Sequence, residues 1–179
     1  DREGGGRPLR VTVFGVDPGT SSLGWWIVAS HNGRVELGTF GVIHTPPAWD
    51  MPRRLLHIYE SLRRRLADHR PDVMAVESIF ATRNHKTVIT VSQARGVVLL
   101  AAASESIPVV EYGPLQVKQA VVGYGRAEKR QVQQMLRHVL RGMENAPESD
   151  DAADALAVAY CHIQRSGRPG LRNTRGEMC

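Results

Sequence analysis

Apolar positions along this chain alternate between two spacings, and the switches between them mark its elements. Val11, Val13, Phe14 and Val16 form a dense β-branched and aromatic run that predicts a buried strand. Asp17-Pro18-Gly19 stops it, because Pro18 has no N–H for a sheet ladder and Gly19 tolerates positive φ. Ser22 to Ser30 and Val35 to His44 read as two more strands, joined through Asn32-Gly33, a strong hairpin signal. The chain therefore opens as a three-stranded antiparallel meander, broken by Thr45-Pro46-Pro47. From Met51 to His69 the spacing changes. Leu55, Ile58, Leu62 and Leu66 recur every three or four residues, which is one helical face. Arg53, Arg54, Arg63, Arg64, Arg65 and Arg70 surround it as a solvated outer face.

Pro71-Asp72 ends that helix, and Asp72 to Phe80 (DVMAVESIF) predicts a strand buried on both faces. Phe80 to Lys86 is a polar, basic loop. Thr87 to Ser104 predicts a helix apolar on more than one side, either central to the core or shared with a second subunit. Gly96 inside it is expected to permit close packing. Ile107 to Tyr112 is a short strand closed by Gly113-Pro114. Two helices follow, Leu115 to Val122 with Lys118, and Ala127 to Leu140 with Lys129, Arg130 and Arg137. Ser149 is a natural N-cap for a last helix, Asp150 to about Gln164. Three strands, helix, strand, helix, strand and helices predict an α/β fold: one five-stranded mixed sheet, an antiparallel meander plus parallel strands, flanked by helices.

Length adds that 179 residues suit one domain, here 11–165. The glycine-rich residues 1–10 and the basic residues 166–179 lack periodicity and are expected to be a flexible extension and tail. No apolar run is expected to cross a bilayer, and no signal-peptide pattern is present. Two cysteines, Cys161 and Cys179, make no disulfide framework, which points to a reduced, cytoplasmic setting. A formal charge of +5 favours a polyanionic partner such as nucleic acid, although many soluble proteins are mildly basic.

Candidate chemistry lies in carboxylates. Asp17 sits at the end of an apolar strand, where it either caps the following turn or binds a cation. Glu77 repeats that arrangement on the later strand. Asp151 and Asp154 are three apart and share a helical face. Helix-dipole complementarity accounts for Asp150 and Asp151, but less well for Asp154, which precedes the apolar run ALAVAY. If the two strands are neighbours and the helix packs across their ends, all four acids converge. They could not all stay ionised without cations. Oxygen-only ligands favour Mg²⁺ or Mn²⁺, and an ion pair of that kind serves in-line phosphodiester cleavage.

GVDPGTSSLGW, AVESIF, SQARGV, YGPLQVKQAVVGYGRAEKRQVQ and DDAADALAVA, in this order from about Val11 to Gln164, resemble the RuvC family of bacterial Holliday-junction resolvases. The resemblance implies a ribonuclease-H-like fold, a homodimer, and paired symmetric nicks in four-way DNA junctions during recombination and repair. It implies two Mg²⁺ or Mn²⁺ ions held by Asp17, Glu77, Asp151 and Asp154, with Asp150 as an extra capping neighbour. Lys118 and Lys129 match lysines that hold the scissile strand. Phe80 matches an aromatic that stacks on bases, and Arg83, Asn84, Lys86 and Arg130 join it as DNA contacts. A RuvA–RuvB branch-migration partner and a nucleoid-associated, cytoplasmic setting are further implications. Leu23 and Trp26 stand where the family pattern has a hydroxyl and a small residue.

On the residues alone, a lysine beside the acids would stabilise charge that grows in the transition state. An aromatic within a basic loop suits base stacking. A two-fold junction requires two equivalent sites, which an isologous dimer supplies; the helix 87–104 is the expected interface. Three rivals stand beside this reading. A ribonuclease-H-like nuclease of RNA–DNA hybrids would use the same acids. A catalytically dead junction binder would not need them. An actin-like ATPase would also use an apolar strand followed by D-x-G-T, but needs a second such loop and about twice the chain.

Overall fold

The computed structural model describes residues 10–78, 85–143 and 149–166. Strands β1 (Arg10–Asp17), β2 (Ser22–His31) and β3 (Arg34–His44) form the expected meander. Asn32 and Gly33 both take positive φ, 51° and 77°, as a two-residue hairpin turn of the right twist requires. Helix α1 (Met51–His69) follows. Asp50 caps it by accepting from Arg53 N at 3.1 Å, and Arg70 ends it in the left-handed region. Then come β4 (Val73–Glu77), α2 (His85–Ser104), β5 (Val109–Tyr112), α3 (Pro114–Val122), α4 (Lys129–Val139) and α5 (Asp150–Ser166).

The sheet order is β3-β2-β1-β4-β5. β1 and β2 pair antiparallel, as do β2 and β3, whereas β4 runs parallel to both β1 and β5. Period-two alternation divides the core into two layers. Val13, Val28, Val73 and Ala75 face α5, α3 and α4. Phe14, Val16, Ile27, Met74 and Val76 face α1 and α2 through Ile58, Leu62, Leu66, Val98, Ala101 and Ala102. Leu23 and Trp26, the two departures from the family pattern, are both buried; Trp26 tilts against Phe40 with ring centroids 4.3 Å apart.

Three expectations are corrected. Lys86 lies in the first turn of α2, not in the preceding loop, because that helix starts at His85. Lys86–Ser104 is, by length and composition, long and apolar enough to cross a membrane. Yet α2 buries a stripe of Ala94, Val98, Ala101 and Ala102 within the core and leaves Ile89 and Leu100 exposed, at 59% and 57%. Gly96 lies exposed on α2, where an added Cβ would meet nothing within 4 Å, so no close packing among the described residues explains it.

Candidate active site

The same alternation that builds the core delivers the acids. Val13, Gly15 and Asp17 share one face of β1; Val73, Ala75 and Glu77 share the same face of β4. Gly15 pairs with Ala75 and Val16 with Val76, so Asp17 and Glu77 come next on adjacent parallel strands. Strand spacing in this direction is about 4.8 Å. Both carboxylates point to the layer occupied by α5.

Two glycines let that helix come down onto the sheet. A Cβ on Gly24, the β2 partner of Asp17, would lie 1.9 Å from the Asp151 carbonyl oxygen. A Cβ on Gly15 would lie 2.1 Å from the Ala155 carbonyl oxygen and 2.8 Å from the Ala159 methyl. The backbone of α5 therefore rests directly on β2 and β1, and its first turns carry Asp151 and Asp154 over the strand ends. Ser149 begins the helix: its carbonyl accepts from Ala153 N at 3.0 Å, and its hydroxyl lies 3.4 Å from Ala152 N.

Convergence is visible in the electrostatics. Burial pushes the Asp17 carboxyl up to about 7, and the charges of Asp154, Glu77 and Asp151 push it the same way. Burial also raises Glu77 and Asp154. The Lys118 charge opposes the shift at Glu77, so this half-buried α3 lysine lies within electrostatic reach of the acids. Lys129, from the first turn of α4, donates to Asp154 Oδ2 at 2.8 Å and lies 3.5 Å from Asp150 Oδ2. Burial would lower the Lys129 pKa, but the hydrogen bond and charge of Asp154 raise it overall. Asp150 is exposed and accepts from Gln133 Nε2 at 2.9 Å, which with Lys129 lowers its pKa. Its side chain thus ties α5 to α4; the helix cap comes from Ser149.

Among the described residues no three of these carboxylates are gathered tightly enough to hold an ion as they stand. Lys129 engages Asp154 instead. The donor set nevertheless fits a hard divalent cation: half-buried carboxylate oxygens whose mutual repulsion shows in the raised Asp17. Arg130 is exposed in the first turn of α4. Lys86 lies exposed on α2. Phe80, Arg83 and Asn84 lie outside the described residues. Sequence reasoning missed the α5-supporting role of Gly15 and Gly24; glycine inside an otherwise apolar strand was the available signal.

A mixed sheet of this order with acids at adjacent parallel strand ends and on a helix laid across them defines a ribonuclease-H-like metal-dependent nuclease. Residues 13–162 match the family described as crossover junction endodeoxyribonuclease RuvC, and the chain belongs to that family. The protein of that name from Syntrophomonas wolfei is 56% identical over 153 residues, 86% of this chain and 88% of the relative. The Chloroflexus aurantiacus protein is 53% identical over 85% of this chain and 92% of its own. The structure of Thermus thermophilus RuvC in complex with Holliday junction substrate superposes with a TM-score of 0.81 at 37% identity, covering 87% of this chain and 94% of that one. The yeast mitochondrial Holliday junction resolvase Ydc2, at 14% identity and a TM-score of 0.63, shares the fold. Family membership favours junction cleavage over the hybrid-nuclease and ATPase readings.

Proposed function

We propose that this protein resolves four-way DNA junctions by paired symmetric nicks, with Asp17, Glu77, Asp151 and Asp154 as its metal ligands. The carrying observation is Asp17, a half-buried carboxyl at one end of the sheet, next to Glu77 on the neighbouring strand and under the first turns of α5, whose charge is disfavoured by Asp154, Glu77 and Asp151. These acids would hold two Mg²⁺ or Mn²⁺ ions. When bound, such ions supply an activated water and neutralise the leaving oxygen. The chain's own residues do the remaining work. Lys118, within electrostatic reach of Glu77, faces the charge that builds on the phosphorus oxygens. Lys129 neutralises Asp154 in the metal-free cleft, and its flexible chain reaches a phosphate at the cleft mouth. Gly15 and Gly24 fix the height of Asp151 and Asp154 over the sheet. Phe80, Arg83, Asn84, Lys86 and Arg130 are further DNA contacts in this reading.

Two coordinated nicks require two sites, and the exposed apolar face of α2 is the surface that would join two copies. A branch-migration motor of the RuvA–RuvB kind is the partner that the substrate implies, in the bacterial cytoplasm at the nucleoid. The test is a synthetic immobile four-way junction, labelled on each strand in turn, with Mg²⁺ or Mn²⁺. Symmetric paired nicks are expected, lost with EDTA and in Asp17→Asn, while that variant binds the junction as tightly or more tightly. Binding without nicking, across several crossover sequences, would make this chain a junction binder only. Cleavage of RNA–DNA hybrids in place of junctions would overturn the substrate.

A further inference from the structure

β3 is antiparallel to β2 and therefore runs with β1, so its last residues reach the sheet end that presents Asp17 and Glu77; Ser22 pairs with His44 there. Residues 45–50 then lead into α1 and are stitched to the turn after Asp17. Thr45, itself buried, donates from its N to the Ser21 carbonyl at 3.0 Å and from its hydroxyl to the Thr20 carbonyl. Arg54 donates to the Trp49 carbonyl at 3.1 Å and to the Pro47 carbonyl at 2.9 Å, and reaches Ser21 Oγ at 3.5 Å.

This fixed loop carries a half-buried aromatic under a cation. The Arg53 guanidinium lies 4.2 Å from the Trp49 ring centroid, and His57 meets the same indole edge-on at 5.4 Å. Arg53 is exposed and has no ion-pair partner among the described residues. The loop's one acid, Asp50, spends its carboxylate on the Arg53 N–H. An exposed arginine is ordinarily mobile. Stacking on Trp49 holds this one in one place while its weakly hydrated fork of donors has no carboxylate among the described residues, which is the form that suits a phosphate. Covering Trp49 alone would account for the stack but not for its position beside the catalytic turn. The patch thus lies at the acid-bearing end of the sheet, on the α1 side, with β3 two strand spacings, about 10 Å, from β1.

We infer that Trp49, Arg53 and His57 grip the sugar–phosphate backbone of a junction arm beside the scissile site. This rests on the junction-cleaving function proposed above. The test is the salt dependence of binding to an immobile junction with long arms, in EDTA. Arg53→Ala should lower the slope of log affinity against log salt by about one on long arms. Arg53→Lys should keep most of the slope, and Arg64→Ala, three turns along the same helix, all of it. Thermal midpoints of the variants check that the fold is intact. An unchanged slope for Arg53→Ala on a junction that the unmodified protein binds would overturn the inference and leave the patch as a cover for Trp49 or a protein contact. Failure of the unmodified protein to bind any junction would instead overturn the function on which it rests.

Discussion

Asp17 is the residue at which structure and chemistry pull hardest against each other. Its carboxyl, ordinarily at 3.8, stands at about 7 because burial and three other carboxylates disfavour its charge. Folding therefore favours the protonated form. That contribution is complete below about pH 4 and is lost as pH rises through 7; across the window it is on the order of 2–4 kcal/mol. In EDTA the protein should lose stability toward denaturant between pH 5 and 8, more steeply than Asp17→Asn. Added Mg²⁺ should recover the loss at pH 8. Parallel pH profiles for the two proteins would show that the Asp17 carboxyl is not strained. Lys118→Ala is expected to cost single-turnover cleavage at least tenfold more than junction affinity; equal losses would reduce it to a phosphate anchor. The four acids were legible in the sequence, because a charge closing an apolar strand and two acids three apart on an apolar helix each need an explanation. The Lys129–Asp154 pair was not, since it depends on how α4 lies against α5, and no local spacing encodes that.

At the scale of elements, helices and strands were legible to within a few residues wherever a clean period ended at proline or glycine. α1 is the clearest case: read as Met51 to His69 and ended at Pro71, it spans those residues, although its cap, Asp50, was not read. α2 was harder: its composition is apolar all round, so periodicity could not say which face is buried, and the same composition satisfies a membrane criterion. Strand order was only partly legible. Crossovers required parallel pairs, but the seat of β1 between β2 and β4 is set by pairing between distant segments. The contact of α5 with the sheet is the element-level determinant of the site. Gly24→Ala must push the Asp151 backbone away from β2, since its Cβ would sit 1.9 Å from that carbonyl oxygen. A loss of about 1–3 kcal/mol in urea is expected. Cleavage should fall further than the unfolded fraction explains, with more Mg²⁺ needed for half-maximal rate. Stability loss with an unchanged Mg²⁺ requirement would separate the glycine from the site.

For the whole molecule, α2 presents Ile89, Gly96 and Leu100 outward on one apolar face with no partner among the described residues, and this is the face proposed to join two copies. Leu100→Glu should leave monomer stability within about 0.5 kcal/mol, because the side chain is already exposed. It should halve the mass measured by sedimentation and convert paired nicks into single, uncoordinated ones. A variant that sediments as the unmodified protein would move the interface elsewhere.

The rest of α5 on two side-chain-free positions also bears on how such a sequence drifts. At Gly24 the helix approaches main chain against main chain, and at Gly15 main chain and the Ala159 methyl share the contact. Core residues such as Val13 or Val28 can exchange for others of similar size over many generations while the acids keep their places. The placement of the acids therefore tolerates volume-conserving exchange in the core better than the gain of any side chain at Gly15 or Gly24.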